Sequence, residues 1–128
     1  MQKDFDNWND KKKYLHKEKQ RPFFKEGEVW FASLGVNIGY EQDGKGKDAL
    51  RPVIVLKKFN NNSLFVVPLS RSEKDGKYYI KTQAAGKSGV AALSQARMLD
   101  SKRLVYKIDK LSNEFRQKVI ESLCELLK

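Results

Sequence analysis

Two apolar runs separated by three asparagines constrain this chain more than any other feature. Arg51–Phe59, "RPVIVLKKF", and Ser63–Ser70, "SLFVVPLS", are dominated by Val, Ile, Leu and Phe, and "NNN" lies between them. Short β-branched runs bounded by turn residues read as strands buried in a sheet, because branched side chains pack well on a pleated surface and Asn suits a tight turn. The two runs are therefore expected to pair as an antiparallel hairpin. Neither approaches the roughly 20 apolar residues that cross a bilayer as a helix.

Other segments add to this sheet. Glu28–Leu34, "EVWFASL", reads as a strand ahead of the hairpin, Tyr78–Lys81 as a short one after it, and Gly89–Leu99, "GVAALSQARML", as one more, with a turn at Asp100–Arg103. Ser112 is a plausible N-cap, and Phe115, Val119, Leu123 and Leu126 recur at helical spacing, so a C-terminal amphipathic helix is expected to about Leu127. Phe5, Trp8, Lys12 and Leu15 predict a second amphipathic helix within residues 1–20, stopped by Arg21-Pro22. Long helices do not alternate with the strands, so the fold class is α+β: a small, strongly curved antiparallel β-barrel or sheet with helices against it.

A length of 128 residues fits one domain able to bury a core without staples. Cys124 is the lone cysteine, which leaves no intrachain disulfide and points to a reducing, cytoplasmic setting. The start, Met-Gln-Lys-Asp, lacks the apolar core of a signal peptide. Twenty-six Lys and Arg against sixteen Asp and Glu give a net charge of +10, which makes nucleic acid a fair partner. Part of that excess is "KKKYLHKEK", which also suits a solvated helix face.

Catalytic chemistry is bounded by what is scarce. His16 is the single histidine and lies in that basic segment, so neither a histidine-based nucleophilic arrangement nor a metal site is expected. "DGKGKD" lacks the Lys-Ser/Thr of a phosphate-binding loop. No cofactor is expected. What remains is the loop "NIGYEQDGKGKDALRP", which delivers Arg51 to the mouth of the second strand, and Ser70 at the end of the third. In a hairpin both lie at the end away from the turn, where a guanidinium fork and a hydroxyl suit a phosphodiester. The competing reading makes Arg51 a surface arginine pairing with Glu41 or Asp48, and Ser70 a turn cap.

The order "GEVWFASLGVNIGYEQDG", "RPVIVL", "VVPLS", "SGVAALSQARMLD" and "RL" before a C-terminal helix resembles the MazF/PemK toxins of bacterial type II toxin-antitoxin systems, from about Glu26 to Leu127. The resemblance implies an SH3-like, CcdB-like barrel over residues 26–128, with residues 1–25 as a helical extension. It implies a homodimeric, metal-independent endoribonuclease that acts on single-stranded RNA and is neutralised by an acidic antitoxin, with no membrane partner. Arg51 matches the family's catalytic arginine and Ser70 its catalytic hydroxyl, usually Thr, while Glu41 becomes the candidate general base. Tyr40, Gln42, Lys45, Lys47, Gln95 and Arg97 become RNA-binding positions, with Leu99 and Asp100 supporting the site. The loop from Gln42 to Arg51 is longer than in short family members, and Ser94 stands where one branch carries Asp. Two other functions share such a fold or surface: a gyrase-binding toxin that cleaves nothing, and an inactive RNA-binding domain.

Overall fold

The computed structural model describes residues 21–34, 50–71 and 75–128. The expected N-terminal helix and most of the loop leading to Arg51 lie outside the described residues. Seven strands form one antiparallel sheet: β1 (Glu28–Ser33), β2 (Leu50–Lys58), β3 (Ser63–Ser70), β4 (Tyr79–Ala84), β5 (Lys87–Ala92), β6 (Arg97–Asp100) and β7 (Leu104–Lys110). The order is β4-β5-β3-β2-β1-β7, and β6 pairs with β3. Among the described residues one α-helix, α1 (Asn113–Leu126), follows.

The expected hairpin is β2–β3, in register from Val53↔Pro68 to Lys58↔Leu64 with one irregularity. Its turn is held by Asn60, whose Oδ1 accepts from Asn62 N at 2.7 Å and Ser63 N at 2.9 Å. That bond pattern is how an Asn side chain imitates a backbone turn. Strand alternation then divides the apolar residues between two cores. Val53, Val55, Leu64 and Val66 face one side with Phe24, Trp30, Ala32, Leu99 and Leu104. Ile54, Leu56, Val67 and Leu69 face the other, where Val119 of α1 is fully buried against them. A strand buried on both faces has to be apolar at successive positions, as "VIVL" is.

The helix is fixed by polar contacts at its start. Ser112 Oγ accepts from Phe115 N at 3.1 Å, as an N-cap should, and Arg116 donates from Nε to Leu56 O at 2.7 Å while its NH2 meets Glu26 at 3.1 Å. Gly27 links the same region: its N donates to Val55 O and its O accepts from Leu111 N. Its φ of 88° lies where side chains are strained, and an added Cβ would stand 3.3 Å from Leu111 O.

Two elements differ from the sequence expectation. Gly89–Leu99 is not one strand: β5 ends at Ala92, a 3-10 turn covers Leu93–Gln95, and β6 starts at Arg97. The turn lets β3 pair with β5 at Leu69–Ser70 and with β6 at Ser63–Val66, two stretches of one strand edge. The second difference is β7, "LVYKIDK", which was not expected. Val105 and Tyr106 are about half exposed, so β7 lacks the apolar continuity of the central strands. At the far edge, Asp109 Oδ2 accepts from Ala85 N at 2.7 Å and so ties the β4–β5 hairpin to β7, curling the sheet.

The motif Gly27-Glu28-Val29-Trp30 owes its pattern to a buried carboxylate. Glu28 Oε1 accepts from Lys25 N at 2.8 Å and Trp30 Nε1 at 3.0 Å, and Lys107 Nζ lies 3.1 Å from Oε2. Burial alone raises the Glu28 pKa, but the bonds from Trp30, Lys25 and Lys107 outweigh it and hold the group below its ordinary value of 4.5. A carboxyl with a depressed folded-state pKa contributes stability fully above its unfolded value and loses it as pH falls through the folded value. Glu28→Gln is therefore expected to lose about 1–2 kcal/mol near neutral pH. In urea titrations the gap from wild type should close as pH drops below about 4.5, and a gap independent of pH would contradict this account.

Candidate active site

Arg51 is the second residue of β2, opposite Ala32 of β1, and its side chain shares the face of Val53 and Val55. It is only 4 % exposed. The expectation of an arginine at an open strand mouth is corrected here. Pairing of β1 with β2 runs on through Ala32↔Arg51 and Ser33↔Leu50, so the strand begins before Arg51 and carries it onto a covered face. Its Nε is buried and has no hydrogen-bond partner among the described residues. Burial alone pushes its pKa below the ordinary arginine value. The guanidinium remains protonated, because arginine starts so far above neutrality. The surface alternative required Glu41 or Asp48, and both lie outside the described residues.

Ser70 is the last residue of β3 and half-buried. Arg51 and Ser70 each lie two residues past the pair Val53↔Pro68, so they occupy the same end and the same face of the hairpin, as expected. The close approach of β5 sets the position of Ser70. Leu69 and Ser70 pair with Ala91 and Val90, and a Cβ on the neighbouring Gly89 would fall 2.3 Å from Ser70 O. Only glycine permits that contact.

Gln95 closes the 3-10 turn, and Arg97 opens β6 opposite Val66, on the face that carries Leu99 and Val66. Arg103 was not singled out from the sequence. Its NH1 donates to Ser33 O at 3.2 Å, next to the residue that faces Arg51. Burial first, then the positive field of Arg97, lower the Arg103 pKa, and Asp100 partly offsets them. The "RL" pair marked this position only as part of an ordered pattern. Nothing in local spacing shows that a 3-10 turn at Ser101–Arg103 returns this side chain to the end of β1. Asp100 is occupied with Arg21 and with Lys102 N.

The described part of the site thus brings Arg51 and Ser70 to one end and one face of the hairpin, with Arg103 bonded at the end of β1 and within the field of Arg97, which lies on the same face further along β3. It is a donor-rich, cationic arrangement, suited to an anion and to charge that develops on one. Tyr40, Glu41, Gln42, Lys45 and Lys47 lie outside the described residues.

Residues 25–127 match the family described as PemK-like, MazF-like toxin of type II toxin-antitoxin system. The chain belongs to that family. No curated protein matches the sequence. Among solved structures, MazF (Form-I) from Deinococcus radiodurans is similar with a TM-score of 0.68 and 23 % identity, covering 85 % of this chain and 98 % of that one. Mycobacterium tuberculosis toxin MazF-mt6 gives 0.60 and 13 %, covering 78 % and 95 %. An endoribonuclease in complex with its cognate antitoxin from Mycobacterial species gives 0.63 and 12 %, covering 82 % and 95 %. The curled sheet with one C-terminal helix is the MazF fold.

In this MazF-like toxin the buried Arg51 Nε has no partner among the described residues, which opposes folding, and an apolar side chain of similar length should serve the core as well or better. Arg51→Met is expected to keep or raise the melting temperature. Inorganic phosphate should stabilise the wild type and not the variant. A loss of more than about 2 kcal/mol in Arg51→Met would show instead that the arginine holds the sheet together.

Proposed function

We propose that this toxin is an endoribonuclease that cleaves single-stranded RNA by attack of the substrate's own 2′-hydroxyl, without a metal ion. The observation that supports this most is the buried Arg51, its Nε without a partner, at the same sheet end as Ser70. A buried donor left without a partner among the described residues costs stability, which supports a use in binding an anion. Phosphodiester cleavage supplies one whose charge grows in the transition state.

The 2′ oxygen attacks phosphorus and its proton passes to Glu41. The bond from phosphorus to the 5′ oxygen then breaks, leaving a 2′,3′-cyclic phosphate and a 5′-hydroxyl. Arg51 stabilises the phosphorane and donates a proton to the leaving oxygen. Ser70 donates to a phosphate oxygen. Arg97 and Gln95 contact RNA, Tyr40 and Gln42 stack on or bond to bases, and Lys45 and Lys47 attract the backbone. DNA lacks the nucleophile.

Family membership supports the remaining parts of the proposal. The toxin acts in the cytoplasm as a homodimer, and a cognate acidic antitoxin neutralises it by folding onto its positive surface. Residues 26–128 form the toxin unit and residues 1–25 an extension whose last part packs on it: Phe24 is fully buried, and Arg21 donates to Asp100 and to Ser101 Oγ.

The test is digestion of a long single-stranded RNA in EDTA, with the cut ends sequenced and their termini identified. Arg51→Ala should lower turnover by about 10²- to 10³-fold, as loss of one oxyanion donor does. Ser70→Thr should keep activity and Ser70→Ala should not, since the hydroxyl is the working group. Cleavage only on adding a divalent ion, or near-normal rates in Arg51→Ala, would overturn the mechanism.

A further inference from the structure

On the sheet face opposite Arg51, at the same open end, lies a cavity of about 190 Å³. Its floor is apolar: Phe31, Pro52, Leu69 and Ile108. Its existence follows from side-chain size. Along β4 the inward positions shrink from Ile80, which belongs to the second core, through Thr82 to Ala84. Across the hairpin, Gly89 stands opposite Thr82 and has no side chain at all. The core that fills the sheet near α1 is therefore left hollow where the sheet opens. The ring of Phe31 is backed by Tyr106, with centroids 5.0 Å apart, so it is braced as a platform.

The rim is polar and cationic. Thr82 contributes a hydroxyl, and Arg71 and Lys87 bring positive charge. Ser70 lines the same cavity while its strand end is shared with Arg51. We propose that this cavity is a base-binding subsite that takes one unstacked nucleobase flanking the cleaved phosphate and so sets the sequence preference of cleavage. This rests on the nuclease reading above. The RNA backbone crosses the open end of the sheet with a phosphate at Ser70, and the adjoining base turns onto the face of Phe31. Stacking on an aromatic platform binds any base, and the hydroxyl of Thr82 discriminates between base edges. An α-helix, about 10 Å across with its side chains, is too wide for so small a space.

The experiment compares the wild type with Thr82→Val and Ala84→Phe. Each digests the same long RNA and the cut ends are sequenced. Thr82→Val removes a hydroxyl at nearly constant shape, and should flatten the preference at one nucleotide next to the cut by roughly three- to ten-fold, leaving other positions unchanged. Ala84→Phe fills the cavity and should lower kcat/KM about ten-fold or more. A folded Ala84→Phe that cuts with the wild-type profile and efficiency overturns the proposal. Should that variant not fold, Thr82→Val decides alone, and an unchanged profile overturns it. If the wild type cleaves no RNA, the nuclease reading fails, and the cavity is judged by binding of fluorescent oligo-A, oligo-C, oligo-G and oligo-U ribonucleotides. Base-dependent affinity that Thr82→Val alters supports the subsite; affinity that does not differ among the four overturns it.

Discussion

Strand β2 is hydrogen-bonded on both edges and buried on both faces, and the remaining elements take their places from it. Its alternate side chains found the two cores, Val53 and Val55 in one, Ile54 and Leu56 in the other. Its backbone also receives the connections. Val55 O accepts from Gly27, Leu56 O from Arg116, and Lys58 N donates to Glu26. A slip of one residue would exchange the two faces and break all three, so the register is over-determined. Arg51 inherits that rigidity because it extends the same strand, two residues from Val53 on the same face. The side chain most suited to bind an anion is thus held by the most constrained part of the fold, which is where preorganisation for charge is worth most.

Such a design sets stability against function at one position. The Glu28 carboxylate and the Arg51 guanidinium are both buried charges, 5 % and 4 % exposed. Glu28 is satisfied by Lys25 N, Trp30 Nε1 and Lys107, so burial strengthens those bonds. For Arg51, burial lowers the pKa and no hydrogen bond to its Nε offsets this among the described residues. The same low dielectric that makes the first pair stable makes the second group reactive towards an incoming anion. Arg97 and Arg103 repel one another in the same way, so their pair too is better accommodated with a negative partner.

The central hairpin, the N-cap at Ser112 and the C-terminal helix were legible because each depends on local pattern: continuous apolar runs, an asparagine turn and three-four spacing. Pairing Arg51 with Ser70 followed from hairpin geometry alone. What escaped depended on contacts far apart in sequence. Strand β7 is an edge whose outward residues Val105, Tyr106 and Lys107 carry no apolar pattern, and it forms because β1 offers it a partner. The break at Leu93–Gln95 exists because β3 must be shared by β5 and β6 along one edge. Arg51 is buried because β1 continues to pair beside it, and Arg103 belongs to the site because a 3-10 turn folds it back to Ser33. Local sequence specifies neither.

The alternation that splits the core also splits the open end of the sheet. Arg51 and Pro52 are neighbours in sequence, yet one lies on the face of the first core and the other floors the cavity on the opposite face. Across the hairpin, Leu69 floors the cavity, while Ser70 shares the face of Arg51 and reaches only the cavity's edge. Two adjacent residues on each of two strands therefore serve a cationic face and an apolar cavity at once. The glycine at position 89 is what brings the second hairpin close enough to wall that cavity, since any Cβ there would meet Ser70 O. Position 89 thus couples the two faces: a side chain there would push β5 away, widen the cavity and move Ser70 together. A ligand that combines charge with a flat apolar ring, joined by a short flexible link, matches such a two-sided end better than one offering either alone.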